Sequence, residues 1–155
     1  MEKVIKELDG ILTEFSRKLN AIPDFEFNAK PLPKKWSKQE VIGHLIDSAQ
    51  NNLRRFITAQ YETNPKIVYD QDFWVRASAY QGASKEEVIQ LWVLINRRIQ
   101  AILKSIPNEN LASTCDTGKQ EVSLKTIEWL AHDYVKHMKH HLNQVVAGSF
   151  DVVYP

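Results

Sequence analysis

In four separate stretches of this chain the apolar residues recur at steps of three and four, and prolines mark the breaks between them. A helix turns about 100° per residue, so that spacing gathers the apolar side chains on one helical face. From residue 2 to about 21 the positions are Val4, Ile5, Leu8, Ile11, Leu12, Phe15 and Leu19, with Lys, Glu, Asp and Arg opposite. Pro23 ends this stretch, and Pro31 and Pro33 make the segment up to Trp36 a loop. A second helix opens on Ser37-Lys-Gln-Glu40, a capping box, and its pattern (Ile42, Leu45, Ile46, Ala49, Leu53, Phe56) runs to about Tyr61. A third follows a second box, Ser84-Lys-Glu-Glu87, through Val88, Leu91, Trp92, Ile95 and Ile99 to the stop at Pro107. The fourth is expected from an N-cap at Ser123 to about Ala147, with Gly148 at the position that favours a left-handed backbone.

Between the second and third helices, residues 62–83 lose the period, and a short helix is expected around Asp72 to Tyr80. A connection of that length in a compact fold is often functional. A short strand is expected near Gln120 to Val122, and the tail, SFDVVYP, is expected as a short strand or an extended arm. Four long amphipathic helices without strand alternation indicate an all-α four-helix bundle, read as a single domain over residues 1–155. The loops are long enough that the packing order of the helices stays open.

Composition narrows the function. Lys plus Arg number 20 and Asp plus Glu 19, a formal charge of +1, so neither nucleic acid nor an anionic membrane is the expected partner. The single cysteine, Cys115, excludes an internal disulfide and a four-cysteine zinc site. No apolar run reaches the ~20 residues of a membrane span. The opening MEKVIKELDG lacks a signal-peptide core, which makes a cytoplasmic location the expectation.

The chemistry concentrates on the last helix. Four of the five histidines, His132, His137, His140 and His141, lie within ten residues. His137 and His141 are four apart, one turn along one face, where both rings can reach a single metal ion. The same spacing also fits a weakly basic surface near a helix end. His-Glu-x-x-His is absent. His44, on the second helix, shares a polar strip with Ser48, Asn51 and Arg55, nearly opposite the apolar stripe, so periodicity alone places it away from the core.

Three segments together resemble the DinB-like (YfiT-like) family of small metal-binding four-helix proteins: WSKQEVIGHLIDSAQNN (Trp36 to Asn52), YDQDFWV (Tyr69 to Val75) and HMKHHLNQV (His137 to Val145). The last matches the family's His-x-x-x-His-x-x-Gln. The resemblance spans essentially the whole chain. It implies an up-down-down-up bundle, often a homodimer, and a three-His site for one divalent metal ion built from His44, His137 and His141. Zinc or nickel is the expected ion, with iron as a third choice, since imidazole suits all of them. The implied activity is metal-assisted use of a low-molecular-weight thiol against a small electrophile. A metal-dependent hydrolase and a non-catalytic metal or small-ligand binder are the alternatives.

Gln144 and Asn51 are candidates to orient a ligand or the reacting group. Asp133, four residues before His137, reads as a solvated carboxylate ahead of a partner to that ring or a fourth ligand, and Arg55 as a surface cation ahead of a receptor for an anionic substrate group. Trp36, Trp74, Trp92 and Trp129 read as packing residues, and YDQDFWV as a segment docking the long loop, able to roof the site. Cys115 has no basic neighbour in sequence and reads as a packing residue.

Overall fold

The structure, a computed structural model, describes residues 1–154. Four long helices carry it: α1 (Glu2–Ala21), α3 (Lys38–Thr58), α5 (Lys85–Ser105) and α6 (Ile127–Val145), with two short ones, α2 (Asp24–Asn28) and α4 (Gln71–Ala77). The side of α1 that carries Val4, Leu8, Ile11, Leu12, Phe15 and Leu19 is buried, as its spacing requires. Fully buried Trp92, Phe15, Phe56 and Leu45 fill the middle of the bundle. Each such side chain contributes roughly 1.5–3 kcal/mol of transfer free energy.

The long helices pack in a ring, α1 on α5, α5 on α3, α3 on α6 and α6 back on α1. Named contacts fix their directions. Gln100 of α5 reaches Asp9 at the start of α1, and Lys85 reaches the carbonyl of Ile22 at its end, so these two are antiparallel. The Gln39 amide, at the start of α3, donates to the carbonyls of Tyr80 and Ala83 just before α5, so α3 and α5 run parallel. Glu7 pairs with Lys139, and Phe15 stacks on Phe150, so α1 and α6 run parallel. The bundle is therefore up-down-down-up, and the parallel pair α3–α5 needs the long crossover seen at residues 59–84.

A β-hairpin, β1 (Thr114–Asp116) and β2 (Leu124–Thr126), joins α5 to α6. It ties down the crossover: Ile67 N–H donates to the Asp116 carbonyl, and Asp116 N–H to that of Pro65. The Asp116 carboxylate accepts from the N–H groups of Gly118 and Ser123 and so closes the hairpin loop.

Several boundaries differ from the sequence expectation. The segment after Pro23 is not wholly loop, because Asp24 to Asn28 form one helical turn seated on Pro23, whose missing N–H costs nothing at a helix start. Helix α3 ends at Thr58. The helix expected over Asp72 to Tyr80 is split into α4 and a 3-10 turn, Tyr80–Gly82, with Ala79 left-handed between them. Ser37 and Glu40 complete their capping box, whereas Ser84 accepts from Glu87 N–H without the reciprocal bond. The last helix is capped by Thr126, because Ser123 is engaged by Asp116 in the hairpin. The strands flank residues 120–122, which form the turn. Helix α6 stops at Val145, and Gly148 takes its positive φ of 73° in the turn beyond. As far as Tyr154, the last described residue, the tail forms no strand, and it is held by Asn143, whose amide donates to the Phe150 carbonyl and accepts its N–H.

Candidate metal centre

The periodicity argument for His44 fails, and the reason lies in the packing. It assumes a helix with one face in water. Helix α3 is covered on several sides by α2, α4, α5, α6 and the Tyr80 turn. Every residue from Gln39 to Ala49 is consequently buried, and so is most of the polar strip: His44, Ser48 and Asn51. His44 is fully buried and faces α6. Because α3 and α6 are antiparallel, the first half of one meets the second half of the other. The His137–His141 pair thus comes opposite His44.

One ring nitrogen from each of His44, His137 and His141 lies within 4.8 Å of the other two. The Nε2 atoms of His44 and His137 are 3.2 Å apart. Two imidazoles on one tetrahedral zinc, each at about 2.0–2.1 Å, would be separated by about 3.3–3.4 Å. The His44–His137 pair therefore matches the spacing a metal requires, and the His141 nitrogen lies close enough to join it. Its chemistry matches too, since only the neutral imidazole offers a lone pair. Burial, reinforced by the nearby His141, pulls His44 down to about 3. Burial and then the neighbouring His141 and His44 hold His137 well below the usual histidine range. Burial lowers His141 as well, against a hydrogen bond to Gln144 that acts in the opposite direction. All three are uncharged at neutral pH.

The surroundings orient these rings unequally. Gln144 Oε1 lies 3.2 Å from His141 Nδ1, which leaves Nε2 of that ring free to face the cluster. Gln144 Nε2 contacts His140, which stays outside the three-His group. Trp36 packs against the His44 ring at 5.0 Å between centroids, so this tryptophan walls the site. Tyr154 of the tail lies across His137, at 5.4 Å, and its hydroxyl donates to Asp133. Asp133 is thereby engaged away from the imidazoles. The Nδ1 atoms of His44 and His137 are buried without a hydrogen-bond partner.

The remaining sequence candidates sit elsewhere. Asn51 is buried on α3, two turns beyond His44, and its amide donates to the Asp47 carbonyl of its own helix. Arg55 is half-buried rather than a surface cation, and its guanidinium donates to the carbonyl of Ile67, so it pins the crossover. YDQDFWV docks the long loop through buried Val75 and the packing of α4 on α3, and Asp72 faces the cavity beside the site. Trp92 is core, whereas Trp129 is half exposed under Lys125. Cys115 is buried against the Pro65 carbonyl, and burial raises its thiol. Sequence reasoning missed Asp47 and Tyr80. The Tyr80 hydroxyl donates to Asp47 at 2.6 Å beneath α3, a pairing of residues 33 apart that no local pattern signals.

The family profile of the DinB superfamily matches residues 7–145. The chain belongs to the DinB superfamily. Among solved structures it is similar to YfiT from Bacillus subtilis, "a probable metal-dependent hydrolase with an unusual four-helix bundle topology", at a TM-score of 0.83 and 21% identity, covering 93% of this chain and 82% of that one. It is also similar to the mycothiol-dependent maleylpyruvate isomerase, at a TM-score of 0.71 and 14% identity, and to a histidine-to-alanine mutant of that enzyme, at 0.74 and 10%. Each comparison covers 91% of this chain but only 59% of the isomerase. No curated protein sequence matches the chain. At these identities the likeness establishes the DinB fold, and the imidazole cluster is what carries the argument about chemistry.

Proposed function

We propose that this chain is a metal-dependent enzyme in which His44, His137 and His141 hold one divalent metal ion and a low-molecular-weight thiol is activated for transfer to a small electrophile. The observation that carries the reading is the convergence of three uncharged imidazoles, one buried and two partly buried, on one point beside an open cavity. A divalent ion held there would supply a Lewis acid that lowers the pKa of a thiol or water in contact with it. Three protein ligands leave positions open, the arrangement of a reactive centre rather than a closed structural one. Zinc and nickel are both compatible with three imidazoles.

The chain's own residues then have distinct tasks. Burial of His44 and His137 keeps both lone pairs free of protons at neutral pH. Gln144 orients His141, the ring nearest the cavity. Trp36 and Tyr154 cover His44 and His137 from two sides, so a substrate approaches past His141.

The likeness to YfiT supports a second reading, hydrolysis with activated water. Turnover of a generic electrophile with added thiol, set beside turnover of esters and amides without it, separates the two. Thiol-dependent turnover that disappears in His141→Ala supports the proposal. Thiol-independent hydrolysis supports the second reading. Stoichiometric metal with no turnover in either panel would make the chain a metal-binding module and refute both.

A further inference from the structure

A cavity of about 700 Å³ opens beside the three imidazoles, with His141 and Gln144 in its wall. That volume suits a small organic molecule. Trp36 and Val41 supply apolar wall, and the loop ahead of α3 contributes Lys34 and Lys35. The lysines of this stretch differ in their partners. Lys30 pairs with Glu40, and Lys38 with Glu26. Lys34 and Lys35 have no carboxylate partner among the described residues. The cavity wall holds one other unpaired charge, Asp72, so two free ammonium groups stand against one free carboxylate. The loop that carries them is stiffened on both sides. Pro31 and Pro33 fix their φ angles, and Lys35 N–H donates to the Leu32 carbonyl at 3.0 Å. The backbone that presents both lysines to the cavity is thus already ordered, and only their side chains have to be fixed on binding.

We infer that the cavity takes a small carboxylate-bearing molecule, its anionic group held by Lys34 and Lys35 and its reacting end directed to His141. The direction of the reacting end rests on the metal-dependent reading above, and the anion grip does not. An ammonium is a compact point charge, so the grip selects for charge rather than for a planar fork, and it weakens with salt.

The test is a titration of the full chain, metal-free and zinc-loaded, with succinate and with its uncharged counterpart succinamide, followed by nuclear magnetic resonance. Metal content is measured on the same samples. Metal-free protein is expected to bind succinate in preference to succinamide. Lys34→Ala/Lys35→Ala should weaken succinate by about fivefold to tenfold, the scale of two exposed charge contacts. Lys34→Arg/Lys35→Arg should restore most of it, and about 0.5 M salt should remove the preference. Succinate binding that survives the double alanine change unaltered overturns the inference, as does binding confined to zinc-loaded protein, where the metal alone would hold the carboxylate. Absence of succinate binding in every form also overturns it. Failure of the three-His site would instead appear as missing zinc with the lysine-dependent binding intact.

Discussion

Asp47, on α3, is fully buried, and one of its carboxylate oxygens has no partner. Burial raises its pKa to about 6 from an ordinary 3.8, against the Tyr80 hydroxyl bond, which acts the other way. The folded chain thus keeps a proton on Asp47 that the unfolded chain has already lost between about pH 4 and pH 6. Stability contributed by this group is highest in acid and falls as pH rises through that window. Two pKa units correspond to roughly 2–3 kcal/mol. The three imidazoles act in the opposite sense. Their folded values lie below 6.5, so the unfolded chain takes protons first and stability rises with pH up to about 6.5. The wild-type profile alone mixes the two, and Asp47→Asn separates them. Asparagine still accepts from Tyr80, and any loss from its unpartnered amide is independent of pH. Urea unfolding of metal-free protein from pH 4 to pH 7.5 should show the variant gaining on wild type by about 2–3 kcal/mol across the range. A difference between the two proteins that does not change with pH would refute the reasoning.

Three further outcomes follow from the packing. A Cβ at Gly43 would collide with the Tyr80 ring, so Gly43→Ala should force Tyr80 off Asp47 and lower stability by about 1–3 kcal/mol in denaturant titrations. The Tyr134 hydroxyl donates to Asn96 Oδ1 at 2.5 Å across the bundle core, and Tyr134→Phe should cost about 1–3 kcal/mol by leaving a buried acceptor unpaired, visible as a lower Tm. Gln144→Ala should weaken zinc binding by about tenfold or more in a chelator competition while leaving thermal unfolding of the metal-free chain unchanged, because the amide orients His141 and supports no core.

Helix-period spacing made the bundle legible, since it depends only on which residues are apolar. Ser37 and Glu40 marked the start of α3 because a capping box is a local device, contained in four residues. The start of α6 lies three residues beyond the N-cap that local pattern favours, since the choice between Ser123 and Thr126 depends on Asp116, which binds Ser123 from across the hairpin. His137 and His141 announced themselves by their spacing. His44 did not: its place is decided by how many elements cover α3, a tertiary fact, and only the resemblance of the whole segment to a family pointed to it. The loop lysines were unreadable for the same reason, because what separates Lys34 and Lys35 from Lys30 and Lys38 is the pairing of the latter with Glu40 and Glu26.

The central claim is that three imidazoles form one metal site. Elemental analysis of purified protein after incubation with zinc or nickel, beside His44→Ala and His141→Ala, tests it most directly, with circular dichroism to confirm that each variant keeps its helices. The account predicts about one divalent ion per chain in the wild type and loss of that stoichiometric ion in both folded variants. Full metal content in folded His44→Ala, or none in the wild type, would contradict it.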